Sequence, residues 1–289
     1  MEAYLETKMH GKPSFPFIVY HSVLPKDMKG FPLHWHEEME IIYVIEGNIN
    51  ITIQNNEYTV HKNEIALIAP ESIHSIRQHN DEPAVYFNIL FRFSMLSGGE
   101  EAICKKKYLD PIYERKFIMP EYLDDSNPIK NELEPLINNL TDINWPDGNK
   151  NELLIKARLL EIMHIIKNHC KKAQGDEKNA NEVNRKIKKS LIYLETNYHE
   201  NITIAQIAKV SNFSESYFSK LFRQLTGSSF TRYLKDYRLE RAAQMLRNSD
   251  SRVSDVAFLV GFNNLSYFTR AFKTKYKINP KAYKEKYKQ

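Results

Sequence analysis

The last third of the 289-residue chain repeats itself. "ITIAQIAKVSNFSESYFSKLFRQLTG" (202–227) aligns with "SRVSDVAFLVGFNNLSYFTRAFKTKY" (251–276). Ile207-Ala208 falls on Val256-Ala257, Phe213 on Phe262, and "YFSKLF" (217–222) on "YFTRAF" (267–272). The offset is 49 in the first part, through Phe213 and Phe262, and 50 in the second, so the second copy gains one residue between the two parts. Few arrangements satisfy this pattern: each copy reads as a short helix, a turn at Ser211-Asn212 or Val260-Gly261, and a second helix. Thr203 and Gln206 have the spacing of a capping box, and Ser214 and either Asn263 or Asn264 suit the N-caps of the second helices. Between the copies, residues 229–247 read as one helix, roughly 28 Å long at 1.5 Å per residue. Adjacent major grooves on one face of DNA lie about 34 Å apart, so such a helix could hold two reading helices in successive grooves.

The second helix of each copy has two unlike faces. Phe218, Leu221, Phe222 and Leu225 form an apolar stripe in the first, and Phe268, Ala271 and Phe272 in the second. Opposite lie Ser216, Ser219, Lys220 and Arg223, matched by Ser266, Thr269, Arg270 and Lys273. Hydroxyl groups mixed with Arg and Lys are what base edges and phosphates require in a major groove. The charge agrees: residues 181–289 carry 21 Lys+Arg against 9 Asp+Glu, whereas the remainder carries 20 against 27. One part of the chain is built to meet a polyanion and the other is not. A solvated lysine-rich face accounts for part of this excess, as in the closing "YKEKYKQ".

The first part reads differently. From 15 to 95, "MEIIYVIEG", "NINITIQ", "EYTV", "EIALIAP" and "AVYFNILFRF" alternate like strands, with turn residues between them. From about 128 the period becomes helical, and "NELLIKARLLEIMHIIKNHC" (151–170) places Leu153, Leu154, Ala157, Leu160, Met163 and Ile166 on one repeat. "KKAQGDEKNAN" (171–181) is polar, shows no periodicity and reads as a linker. A β block followed by a helical block implies an α+β chain of two domains: a β-barrel with following helices at 1–172, a linker at 173–182 and an all-α domain with two helix-turn-helix motifs at 183–289. There is no apolar run of membrane-spanning length, and the start lacks the pattern of a signal peptide. Two cysteines without a spacing pattern suit a reducing compartment, so a cytoplasmic location is expected.

In "HWHEEMEIIYVIEG" (34–47), His34 and His36 share a strand face, and Glu40 follows. Further candidates for a wet cavity are Trp35, Glu38, Tyr43, His74, Arg77 and the face of "AVYFNILFRF" that bears Tyr86, Asn88 and Arg92. Imidazole, carboxylate and phenol groups suit a small, hydroxyl-rich ligand, and a sugar is the expected class.

Residues 183–287 resemble the DNA-binding domain of the AraC/XylS transcription regulator family. The resemblance is carried by "IAKVSNFSESYFSKLF", "YRLERAAQMLRNS", "VSDVAFLVGF", "YFTRAFKTKY" and "NPKAY". It implies base contacts from Ser216, Ser219 and Lys220 in the first reader and from Leu265, Ser266, Thr269 and Arg270 in the second. Lacking long polar groups at 216 and 219, the first reader is expected to depend more on phosphates. Lys277 stands where the family usually has glycine, which implies a changed loop geometry there.

The β half is similar to the cupin-type sensor domain of such regulators. His34-x-His36-x₃-Glu40-x₆-Gly47 follows the first cupin motif, except that Gly30 lies too close to serve as its leading glycine. "KNEIALIAPESIH" (62–74) follows the second, with Pro70 and His74 in place and Asn63-Glu64 instead of Gly-Asp. Three readings remain open for His34, His36, Glu40 and His74: hydrogen-bonded strand-edge groups, the lining of an effector pocket, and a divalent-metal site. The expectation is a non-enzymatic, effector-responsive DNA-binding regulator with no cofactor and no catalytic residues. Its partners would be promoter DNA, a twin subunit joined through the 151–170 helix, and RNA polymerase if it activates. The alternative is a metal-binding cupin enzyme or metal sensor that carries a DNA-binding domain.

Overall fold

The computed structural model describes residues 10–25, 30–98, 102–143 and 151–287, without the side chains at 176–178. The residues on which the leader-peptide reading chiefly rests, 1–9, and the final two of "YKEKYKQ" fall outside that range. The chain divides into two compact units, one ending at Asn184 and the other beginning at Arg185.

The first unit opens with eight strands: β1 (Phe17–Leu24), β2 (Gly30–His34), β3 (Met39–Glu46), β4 (Ile49–Ile53), β5 (Asn56–Val60), β6 (Ile65–Ile68), β7 (His74–Gln78) and β8 (Ala84–Phe91). There follow α1 (Asp110–Tyr113), β9 (Phe117–Ile118), β10 (Tyr122–Leu123), α2 (Pro128–Asp142), α3 (Glu152–Asn168), β11 (Lys171–Lys172) and α4 (Gly175–Asn197). One antiparallel sheet has the order β1-β8-β3-β6-β10 and faces a second of order β2-β7-β4-β5; β9 pairs with β11 separately. This is the cupin-like sandwich, or flattened barrel, expected from the alternating segments.

Both faces of the five-stranded sheet are covered, which is why β3 shows six buried residues in a row rather than alternating buried and exposed ones. Ile42 and Val44 meet Ile49, Ile51, Ile76 and Tyr86 between the sheets. Met39, Ile41 and Tyr43 project the other way, onto Leu133, Ile137, Leu159 and Ile162 of α2 and α3. α2 starts at Pro128 because Asn127 caps it, accepting from Ile129 N at 3.1 Å.

Two sequence expectations are corrected here. Segment 173–182 was read as an irregular linker, yet it is helical from Gly175 onward as the start of α4. Asn184, Ile187, Ser190, Leu191 and Leu194 give α4 a buried stripe, and once such a helix is nucleated, extending it through polar residues is cheap. In α3 the buried stripe is Ile155, Leu159, Ile162, Met163 and Ile166. Leu153, Leu154, Ala157 and Leu160 of the expected stripe are exposed.

The second unit contains the remainder of α4 and α5 (Ile204–Val210), α6 (Glu215–Thr226), α7 (Phe230–Asn248), α8 (Val253–Leu259), α9 (Leu265–Tyr276) and α10 (Pro280–Tyr287). Pro280 opens α10 at a position where its missing N–H costs nothing. The copies share the backbone bond that closes each turn, although only the first copy's leading helix has a side-chain cap. Phe213 N donates to Ala208 O and Phe262 N to Ala257 O, each at 2.9 Å. Thr203 and Gln206 form the capping box, Ser214 caps α6, and Asn264 rather than Asn263 caps α9. Left-handed residues make both turns, Asn212 (φ 52°) and Gly261 (φ 90°). A Cβ at Gly261 would lie 2.5 Å from the His199 carbonyl oxygen, so only glycine fits. Lys277 contradicts the expected loop change. It ends α9 at φ 64°, just as Gly227 ends α6 at φ 72°, so the lysine has adopted the glycine geometry.

Candidate DNA interface and effector site

On α6 and α9 the predicted stripes take the expected sides. Phe218, Phe222, Phe268 and Phe272 are buried, packed ring to ring. Ser216, Lys220 and Arg223 are exposed on α6, as are Leu265, Ser266, Arg270 and Lys273 on α9; Ser219 and Thr269 are half-buried at equivalent positions. The structure also sorts the cations. Arg238 donates to the Tyr198 and Glu200 carbonyls at 2.6 Å, Arg247 to the Tyr283 hydroxyl at 2.6 Å, and Lys275 to Glu240 at 2.6 Å. Arg241 stacks on Tyr237 and pairs with Glu195. These charges hold the unit together. Among the described residues, no hydrogen bond or ion pair engages the side chains of Lys220, Arg223, Arg270 or Lys273, which leaves four cations on the two polar faces for an anionic partner.

Sequence reasoning missed Tyr217 and Tyr267. Both are about half exposed beside these faces, and each ring rests on the phenylalanine that follows the turn, Phe213 or Phe262. Their recurrence in "SYF" was the available signal.

In the first unit, the structure gathers His34, His36 and His74, whose ligand nitrogens all lie within 4.8 Å of one another. Register brings two of them together, His34 and His74 being direct partners across β2 and β7, while His36 joins them from just beyond the end of β2. Glu40 reaches the group from β3. Its Oε2 lies 3.0 Å from His36 Nε2 and 2.9 Å from His74 Nε2, all three residues being nearly inaccessible to water. The two imidazoles hold the Glu40 carboxyl well below the usual carboxylate range, although burial acts against this. Burial, with help from the His74 charge, lowers His34 to about 3. Glu40 thus stands against two of the three rings, and the four-residue set drawn from the motif becomes three converging histidines with a carboxylate beside them.

Each of the three rings is oriented by a backbone carbonyl. His34 Nδ1 lies 2.8 Å from Pro32 O, His36 Nδ1 3.2 Å from Glu38 O, and His74 Nδ1 2.9 Å from Ser72 O. A carbonyl can only accept, so each Nδ1 donates in these contacts, and His36 Nε2 is hydrogen-bonded to Glu40 Oε2 at 3.0 Å. His74 Nε2 is buried and not aligned for a hydrogen bond despite its nearness to Glu40. Three converging imidazoles beside one carboxylate are ligand types that a divalent first-row metal takes.

Further out, Arg92 Nε donates to the buried Glu38 at 2.7 Å and Arg92 Nη1 pairs with Glu37 at 2.9 Å. Tyr86 faces the interior, its hydroxyl pushed up by burial and by Glu40, and Asn88 shares that side of β8 with an unpaired, buried Oδ1. Trp35 is buried. Two predicted pocket residues are misplaced. Tyr43 points to the helices, its hydroxyl donating to Glu134 of α2 at 2.5 Å. Arg77 lies on the face of β7 opposite His74 and Ile76, because odd and even positions of a strand part company. His10 was missed. It is buried, bonded to the Tyr20 hydroxyl at 3.2 Å, with its ring centroid 5.9 Å from that of His36. It lies ahead of any periodic segment, so nothing in the local pattern marked it.

Residues 20–163 match the model of the AraC-like ligand binding domain, and residues 207–286 match that of a helix-turn-helix domain. The chain therefore belongs to the AraC family of DNA-binding transcription regulators, with an N-terminal ligand-binding domain. Among its relatives is the HTH-type transcriptional regulator YdeC of Bacillus subtilis, 23% identical over 97% of this chain and 95% of its own. Another is YdiP of Escherichia coli, 24% identical over 91% and 84%. Among solved structures, the DNA-binding domain of AdpA in complex with a target DNA is 27% identical over 35% of this chain and 91% of its own, with a TM-score of 0.34. No helix among the described residues is long and apolar enough to cross a membrane.

Proposed function

We propose that this regulator reads promoter DNA with α6 and α9 and adjusts that binding to a small polar effector held at the histidine end of its β-sandwich. The observation that carries the reading is the equivalence of the two polar faces: Lys220 and Arg223 on one helix, Arg270 and Lys273 on the other, all exposed. A bundle needing these charges for itself would have engaged them, as it engages Arg238 and Lys275. The hydroxyl pairs Ser216/Ser266 and Ser219/Thr269 supply the short donors and acceptors for base edges.

The interior face bearing Tyr86, Asn88, Glu40 and the histidines supports an oxygen-rich effector, of which a sugar is one class. The effector alters DNA affinity only insofar as it prefers one arrangement of the chain over another. The protein acts in the cytoplasm as a homodimer, joined through the exposed stripe of α3.

The test uses a duplex selected by the wild-type chain from a random pool. Arg270→Glu is expected to weaken binding by about 1–3 kcal/mol and Lys220→Glu to weaken it while flattening its salt dependence. Wild-type affinity for the selected duplex in both variants would show that the readers are assigned to the wrong helices.

A further inference from the structure

We infer that a pocket between α7 and α9 clamps one phosphate of the DNA backbone, with Lys235 as its principal ligand, so that the helix joining the two copies is itself part of the DNA interface. The pocket is a cavity of about 420 Å³ in the second unit. Asn201 enters it from the loop ahead of α5, Thr231 and Lys235 from α7, and Asn264 and Arg270 from the start of α9 and its second turn. None of the residues lining it is acidic. Arg238 adds its charge to the wall, but two of its N–H groups are spent on the Tyr198 and Glu200 carbonyls. Lys235 and Arg270 are not spent: among the described residues, no hydrogen bond or ion pair engages either side chain, nor those of Asn201 and Thr231. Asn264 accepts from Tyr267 N at 2.8 Å through Oδ1, which leaves the N–H groups of its amide facing no acceptor.

Positive charge with several idle donors and no carboxylate is the chemistry of an anion site. A base edge presents donors and acceptors together, whereas a phosphate presents acceptors alone. The repeat supplies a comparison within the chain. With the offset of 50 that relates the two readers, Lys235 of α7 corresponds to Glu285 of α10. A lysine at this place is therefore not required of the helix that follows each reader. Lys235 is half-buried, and an ammonium held partly away from water without a counter-ion gains a charge-assisted bond from an arriving phosphate oxygen. Arg270 and Tyr267, which also line the cavity, put it at the border of the second reading face. A clamp there carries no sequence information; it fixes where α9 enters its groove. Because Lys235 belongs to the joining helix, that entry is tied to the spacing of the two readers. The inference rests on the DNA-reading proposal and adds to it a contact outside both reading helices.

The experiment measures the affinity of the full chain for the selected duplex and for an unrelated duplex over a range of salt concentrations. Lys235→Gln is expected to weaken both by the same factor and to lower the slope of log affinity against log salt by about 0.9, the value of one phosphate contact. The preferred sequence should not change. Lys235→Arg should restore the slope. Lys172→Gln, the same charge change on an exposed residue of the first unit, should not move it. Replacing backbone phosphates one at a time with neutral methylphosphonate locates the partner: at one linkage the wild type should lose affinity that Lys235→Gln has already lost. An unaltered slope in Lys235→Gln, or the lack of any such linkage, would overturn the clamp. Calorimetry with inorganic phosphate separates the DNA backbone from a free anion. Saturable phosphate binding that Lys235→Gln abolishes, with the DNA slope unchanged, would give the pocket to the free anion and overturn the clamp as well. If the clamp fails while Arg270→Glu still weakens binding, Lys235 alone is discarded. A wild-type chain that selects no duplex discards both the clamp and the regulator reading.

Discussion

At the scale of single residues, one bit of strand parity separates Tyr43 from Tyr86. Both are tyrosines in apolar segments, and sequence gives them equal claim on a pocket. Tyr43 falls on an odd position of β3, beside Met39 and Ile41, and its hydroxyl bonds Glu134. Tyr86 faces inward, beneath Glu40. For His34 and His36 the shared side was suggested by their two-residue spacing, although His36 lies just past the end of β2. The side was not legible for Tyr43, because the five-stranded sheet is buried on both faces and apolar alternation disappears. Tyr43→Phe should therefore cost about 1 kcal/mol of stability, the usual worth of one hydrogen bond, and leave ligand binding at the histidine end unaltered. Denaturant unfolding alongside the ligand titration checks both halves. A large affinity loss with no stability loss would mean that the hydroxyl serves the interior after all.

At the scale of elements, caps were the most readable features and phase the least. Thr203, Gln206 and Ser214 announce helix starts through side-chain chemistry, which is local, and the helices begin there. The inner stripe of α3 could not be chosen from sequence. The helix has apolar residues on two sides, and only the sheet beneath it decides which of them is core. The first turns of α4 escaped notice for the opposite reason, having no apolar stripe at all. Lys277 shows tertiary structure overruling a local preference, because α9 must end where α6 ends if α10 is to close the bundle as α7 does in the first copy. A non-glycine residue in the left-handed region costs roughly 1–2 kcal/mol. Lys277→Gly removes that strain while loosening the unfolded chain by up to about 1 kcal/mol. The expected net gain is therefore small, about 0–1 kcal/mol, read as a higher midpoint of thermal unfolding. A midpoint that falls by several degrees would show that Lys277 contributes more to the α9 terminus than its backbone costs.

At the scale of the whole molecule, the surface of α3 is the feature that folding of one chain leaves unexplained. Leu153 is 82% exposed and Leu160 39%, with exposed Ala157 between them, so an apolar stripe runs along the helix away from its own core. Scattered exposed leucines mean nothing, but three apolar residues on one face of a helix that is already packed on its other side are the surface the proposed dimer would bury. A second copy of the same helix is the partner the proposed dimer supplies. Two joined chains would present two pairs of reading helices to one promoter, and linkage of this kind raises affinity by roughly 10²–10⁴ without any new DNA contact. Leu153→Lys combined with Leu160→Lys should thus yield a folded monomer by sedimentation, since exposed substitutions typically change stability by only about 0.5 kcal/mol. On a promoter with two sites its affinity should fall on the order of 100-fold, while its affinity for a single site should match the wild type. If the doubly charged chain still sediments as a dimer, the stripe is not the interface. If it is monomeric yet binds the two-site promoter as tightly as before, the two chains act independently on DNA, and occupancy of the effector site would have to reach α6 and α9 within one chain.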